Sequence, residues 1–153
     1  MNWKIPISVL VVIHTPALEV LLLQRAARPD FWQSVTGSLD RADEPLEDAA
    51  RREVFEETGI DAPPERLRRW EVVYTFRIWD EWRHRFPPGT THNTEHAFSL
   101  EVAGRLDVRL APHEHLSYVW LPWRAAAKKC ASWSNREAIL MLPERAATVA
   151  QLK

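Results

Sequence analysis

Apolar and polar positions alternate with two different periods along this chain, and the change of period marks out its elements. Ile5 to Ile13 is a largely apolar, β-branched run that fits a strand buried on both faces. Val20 to Gln24 reads as its partner across a turn holding Thr15, Pro16 and Glu19. Ala26 to Gln33, broken by Pro29 and Asp30, reads as a loop, and Ser34 to Leu39 as a short strand. After a rigid Pro63-Pro64 linker, strand-like residues resume at about Leu67, and Trp70 to Trp79 predicts a longer strand or a hairpin. Asp80 to Thr94 is irregular, Glu95 to Val102 predicts another strand, and a weaker alternation runs from Leu106 to Leu110 before Leu116 to Leu121. From Arg124 onward the composition is helical, in two segments, Ala125 to Ala131 and Asn135 to Leu142, with Pro143 expected to interrupt any continuation. The layer pattern is α/β/α: a mixed β-sheet, one central helix and C-terminal helices.

The central helix carries the chemistry. Asp43 suits an N-cap, Pro45 falls in the first turn and Gly59 suits a left-handed stop, which together bracket roughly four turns. At about 100° per residue, Leu46, Ala49, Ala50 and Val54 form an apolar arc, and Glu53, Glu56 and Glu57 fall within or beside it. Glu47, Asp48, Arg51 and Thr58 occupy the opposite, polar arc, and Phe55 points the same way, so that outer face is expected to be partly covered. Glu53 and Glu57 form a like-charge i,i+4 pair that costs a helix about 0.2–0.5 kcal/mol, and removing such groups from water costs several times more. A hard divalent cation, Mg²⁺ or Mn²⁺, compensates such a cluster, with Arg52 placed to orient a carboxylate. A solvated acidic helix end is the competing reading.

Gly37, Glu44, Arg52-Glu53-Val54, Glu56-Glu57 and Gly59-Ile60 resemble the signature box of the Nudix hydrolases. Six residues separate Gly37 from Glu44 where the family pattern has five, unless Asp43 takes the place of the first glutamate. The resemblance implies a Nudix-type α/β/α sandwich that cleaves a nucleoside diphosphate linked to another group. It also implies Glu53, Glu56 and Glu57 as metal ligands, Arg52 as their orienter, the Gly37 carbonyl as a further ligand, and Glu53 or Glu114 as base. Asp30 to Gly37, Arg83 to Thr94 with Glu95, and Ser132 to Arg136 are similar to the pterin-processing, folate-pathway branch of that family. That similarity implies hydrolysis of 7,8-dihydroneopterin 3'-triphosphate to the monophosphate and pyrophosphate, with some tolerance for dATP. A nucleotide-pool sanitising hydrolase and a non-catalytic ligand sensor on the same fold are the alternatives. A sensor is expected to have lost box glutamates, and none is missing here.

Further candidates lie outside the box. Arg25, ending the second strand, suits bidentate capture of a phosphate, and Lys4 and the Thr36 hydroxyl are also counted as substrate-binding. The triplet Arg83-His84-Arg85 lies in the irregular segment, where its charges can meet a triphosphate tail, with Arg83 taken as the binding residue. Phe76, Trp79, Trp32 and Trp133 can wall a flat heterocycle, and Ser132 and Asn135 can hydrogen-bond it. His113-Glu114-His115 invites a zinc reading, but neighbours in an extended segment point to opposite faces, which favours Glu114 alone as a further metal ligand or base.

Composition narrows the rest. With 153 residues and 46% hydrophobic content the chain fits one domain, 1–153. A net charge of −1 and no basic run longer than two residues argue against a nucleic-acid polymer as partner. The single Cys130 reads as a buried small hydrophobe, no segment has the length or pattern of a membrane span, and no P-loop is present. The expectation is a cytoplasmic monomer or weak homodimer acting on a small-molecule triphosphate.

Overall fold

The doubly buried run is the middle strand of a mixed sheet. A computed structural model describes residues 2–151. In it, β1 (Ile7–His14) sends Val9, Val11 and Ile13 to one face and Leu10 and Val12 to the other. The first face packs with Leu21 and Leu23 of β2 (Glu19–Arg25) against Ala49, Ala50 and Val54 of α1 (Leu46–Thr58). The second packs with Val20 and Leu22 against Ala126 and Ala127 of α2 (Trp123–Lys129) and Ala138, Ile139 and Leu142 of α3 (Trp133–Gln151). Period-2 alternation thus feeds two cores from one strand, which is why β1 carries almost no polar residue.

β1 runs parallel to β6 (His92–Glu101) along its whole length, from Ile7 opposite Thr94 to His14 opposite Glu101. On its other edge it meets β2 only at His14 and Val20, and the two strands then separate. β3 (Trp32–Gln33) lies against β2, while β4 (Val35–Ser38) lies against β1 from Val11–Val35 to Ser8–Ser38. The chain that crosses between them lines the opening. β5 (Leu67–Arg77) flanks β6, and β7 (His115–Pro122) flanks β2, both antiparallel.

Several expectations change. Trp32 and Gln33 leave the predicted loop for a strand because they pair with Gln24 and Leu23. Trp70 to Arg77 belongs to one long strand, irregular between Arg69 and Val73, where Glu71 has φ 59°, while Ile78 and Trp79 lie beyond its end. A 3₁₀ segment, Asp80–Arg85, organises the irregular stretch, and β6 starts earlier, at His92. Leu106 to Leu110 forms no strand, although Val108 and Leu110 still pack on the core. α3 runs through Pro143, because burial of Ala138, Ile139 and Leu142 holds the preceding turn and the proline forfeits only one backbone bond. Asp43 is not the N-cap: Pro45 is, and Asp43 is exposed in an ion pair with Arg41 at 2.9 Å. Among the described residues no helix is long and apolar enough to cross a membrane.

The bend between β3 and β4 is pinned from the opposite layer. Asn135 of α3 accepts the Ser34 backbone N–H at 2.8 Å and donates to the Ser34 hydroxyl at 2.9 Å, with both residues buried. Asn135→Ala leaves a buried N–H without a partner, so it is expected to lower stability by about 1–3 kcal/mol. Urea unfolding checks this: the midpoint falls while the m-value stays unchanged.

Candidate active site

α1 turns two carboxylates inward. Glu53 and Glu57 lie one helical turn apart on the buried face, Glu57 with 1% of its surface exposed. Burial pushes the Glu57 carboxyl well above the usual carboxylate range, with the adjacent Glu53 and then Glu114 adding to it. Burial raises Glu53 as well, against the pull of Arg52. Among the described residues Glu57 Oε1 has no hydrogen-bond partner.

Gly37, in β4, faces this pair. A Cβ at that position falls 2.1 Å from the Glu53 carboxyl carbon, so the carboxylate occupies the space of a side chain. Orphaned acceptor oxygen, paired like charges and an all-oxygen donor set fit a hard divalent cation. Among the described residues no three His, Cys, Asp or Glu side chains converge into a ready-made cage. A pair of carboxylates with open positions suits Mg²⁺, which keeps water and phosphate ligands.

Arg52 holds the pair in place. It bonds Glu44 bidentately, Nε to Oε2 and Nη2 to Oε1, both at 3.0 Å, and reaches Glu53 Oε1 at 2.9 Å and the Ser38 carbonyl at 3.1 Å. Glu44 also accepts the Asp40 N–H at 2.8 Å, and the arginine holds its carboxyl below the usual range. Glu44, not Asp43, therefore fills the place of the first glutamate, and the extra residue is absorbed in the turn before it. Glu56 is half exposed and meets Arg52 at 3.4 Å, at the rim of the cleft. Thr58, expected on the solvent arc, is buried: its hydroxyl donates to the Val54 carbonyl and accepts the Ile60 N–H, closing the helix end where Gly59 takes φ 76°. The outer face is partly covered as expected, since Arg109 bonds the Thr58 carbonyl and lies over Phe55.

Cations face these acids across a cleft of about 570 Å³. Arg25 is stacked 4.6 Å over the Trp82 ring, and its buried Nε is unpartnered. Lys4, joined to Arg85 through its backbone, is mostly withdrawn from water, and burial and the two neighbouring arginines lower its pKa. Arg85 lines the cleft, whereas Arg83 does not. The 3₁₀ turn aims Arg83 the other way, toward Asp80 at 3.7 Å. Glu114 is exposed at the rim, and the buried His115 Nε2 approaches Glu57 Oε1 to 3.7 Å. Burial lowers the pKa of His115, and because His115 is buried while His113 is exposed, the two rings do not share a face on which they could form a zinc pair.

A second cavity, about 150 Å³, opens from the same cleft and shares Lys4, Arg25, Thr36 and Arg85 with it. Phe76, Trp79, Ser132 and Asn135 line it. Thr36 spends its hydroxyl on the Val9 carbonyl at 3.0 Å, and Asn135 spends its amide on Ser34. Trp32 and Trp133 stay outside: Trp32 packs on the α2–α3 side under Lys129, and Trp133 lies edge-on to Tyr74. Sequence reasoning passed over Trp82, His115, Asn93 and Glu95 as individual site residues. A signal existed only for the last two, polar residues two apart on one strand, in register with the buried Ala97.

The family description NUDIX domain matches residues 4–142. The dihydroneopterin triphosphate diphosphatase of Escherichia coli (strain K12) is 46% identical over 140 residues, which is 90% of this chain and 91% of that one. Its counterpart from Haemophilus influenzae is 37% identical over 91% of this chain and 88% of its own. A solved structure of the E. coli dihydroneopterin triphosphate pyrophosphohydrolase superposes with a TM-score of 0.84 at 44% identity, covering 91% of this chain and 95% of that one. Family match, relatives and site geometry agree, and the chain belongs to the NUDIX domain family.

Proposed function

We propose that this protein hydrolyses 7,8-dihydroneopterin 3'-triphosphate to dihydroneopterin 3'-monophosphate and pyrophosphate, with Mg²⁺ as its ion. The observation that carries the reading is the two-part cleft: an acidic and cationic groove continuous with a small, aromatic-walled cavity suits a triphosphate tail on a flat ring. The similarity to the E. coli and H. influenzae enzymes supports the same substrate. As part of this reading, the enzyme works in the cytoplasm as a monomer or weak homodimer.

Enzymes of this family generally need a divalent metal; bound here, Mg²⁺ supplies charge neutralisation and a more acidic water. Glu53, Glu57 and the Gly37 carbonyl would hold it, with Glu56 available from the rim. Lys4, Arg25 and Arg85 bind and orient the phosphates, and the stacked, preorganised Arg25 fork loses little freedom in doing so. Arg52 is a positioning residue, since its contacts run to box carboxylates, to the Ser38 carbonyl at the end of β4 and to Asp40 in the turn before α1. Of the two candidate bases, Glu53 is tied to Arg52, whereas Glu114 stands free at the rim, so Glu114 is assigned the proton.

The substrate assignment is tested by kcat/KM for dihydroneopterin triphosphate against dATP and 8-oxo-dGTP. The pterin is expected to lead, and a preference above about a hundredfold for a nucleotide overturns the assignment. Glu57→Gln is expected to lower kcat by about 10²-fold or more. Its melting temperature without metal should equal or exceed that of the wild type, because like-charge repulsion is relieved. Glu114→Gln should lower kcat by about 10²–10⁴-fold with little change in KM, the range for loss of a general base; a wild-type kcat returns the role to Glu53.

A further inference from the structure

Within the inner cavity, the sheet aims two acceptors at the same space. Asn93 and Glu95 stand two apart on β6, hence on one face, and both are buried and line the cavity. Leu10, Phe76, Ile78 and Phe86 make its apolar walls. Asn93 spends its amide nitrogen on the Ser8 hydroxyl at 2.7 Å, which leaves its buried Oδ1 without a partner. Glu95 accepts the Ser134 hydroxyl at 2.9 Å, and Ser134 is in turn tied to Ser132. No cation pairs with Glu95 among the described residues; burial pushes its carboxyl up to about 7, with the Ser134 hydroxyl acting against it.

Around Asn93 and Glu95 the cavity offers acceptors, whereas its cations, Lys4, Arg25 and Arg85, are the residues it shares with the groove. Its complement is a ring edge that offers adjacent N–H groups, which meet a carboxylate bidentately and stabilise its ionised form. Building on the pterin reading above, we propose that Glu95, with Asn93 beside it, is the specificity-determining acceptor pair that reads the ring N–H and exocyclic amino group of a 2-amino-4-oxopyrimidine edge. Adenine offers a donor beside a ring-nitrogen lone pair, so one carboxylate oxygen is left facing another acceptor. The cavity opens into the groove lined by Lys4, Arg25 and Arg85, so a ring seated against Glu95 extends its phosphates toward α1.

Glu95→Gln tests the assignment, because the amide retains an oxygen for Ser134 but replaces one acceptor with a donor. The ratio of kcat/KM for dihydroneopterin triphosphate to that for dATP is expected to fall by about ten- to a hundredfold. Inhibition by neopterin, which carries no phosphate, should weaken at least about tenfold in parallel, a change that loss of a merely structural contact does not make selective. A ratio that shifts less than about threefold in a protein that melts like the wild type overturns the proposal. Should Glu95→Gln fail to fold, Asn93→Ser removes the orphaned acceptor instead, and unchanged neopterin inhibition then overturns it. If wild-type enzyme does not hydrolyse dihydroneopterin triphosphate, the substrate assignment falls by itself. Guanosine and adenosine as inhibitors still read the pocket in that case: Glu95→Gln must weaken guanosine relative to adenosine about tenfold, and equal effects on the two overturn the edge-reading role.

Discussion

Two carboxyls held away from water, one helical turn apart, set the terms for the rest of this structure. Glu53 and Glu57 occupy places on α1 where a core helix carries alanine or leucine, and their neighbours Ala49, Ala50 and Val54 show that the face is otherwise a core face. Such a pair persists only if its surroundings over-determine it. Here Arg52 fixes Glu53 from one side and Gly37 leaves room for its carboxylate on the other. Arg52 is fixed in turn by Glu44, which is fixed by the turn at Asp40. The unmet need of Glu57 is what makes the site able to take a cation.

The sheet supplies the space that pair requires. Because β1 and β2 touch only at His14 and Val20 before they separate, the chain between β2 and α1 runs into the gap as β3 and β4. Gly37 and Thr36 thereby come between the metal-type face of α1 and the cavity on the far side of the sheet. The clamp from Asn135 to Ser34 couples that segment to α3, so the two helical layers meet the site through one short stretch of backbone.

The two ends of the cleft differ in physics as well as in residue type. The groove end sets Lys4, Arg25 and Arg85 against Glu53, Glu57 and Glu114, and its fields fade with exposure. The inner end is walled by aromatic and aliphatic side chains, so each unpaired acceptor there weighs heavily. Between them stands a ladder of alternating planes, with Arg25 over Trp82, Trp82 stacked on Trp79, and Arg28 over Trp79. It fixes the direction of the Arg25 fork at the junction.

The chain's own order of residues determined the α/β/α layering, the doubly buried first strand and the acidic helix with its Gly59 stop, because those rest on local periodicity and on conformations few residues adopt. It also determined the inward pair Glu53 and Glu57, since 3.6-residue spacing alone puts them together. Tertiary structure alone decided which of several equivalent charges enter the cleft. Arg85 and not Arg83 does so because a 3₁₀ turn separates them, and Glu44 and not Asp43 grips Arg52 because the preceding loop folds back. Thr58 and Trp32 likewise lie where long-range packing puts them, and Glu95 and Asn93 became a pocket only when β1, β5 and α3 closed around β6. Periodicity fixes the face on which a residue sits, whereas what that face meets depends on contacts far away in the chain.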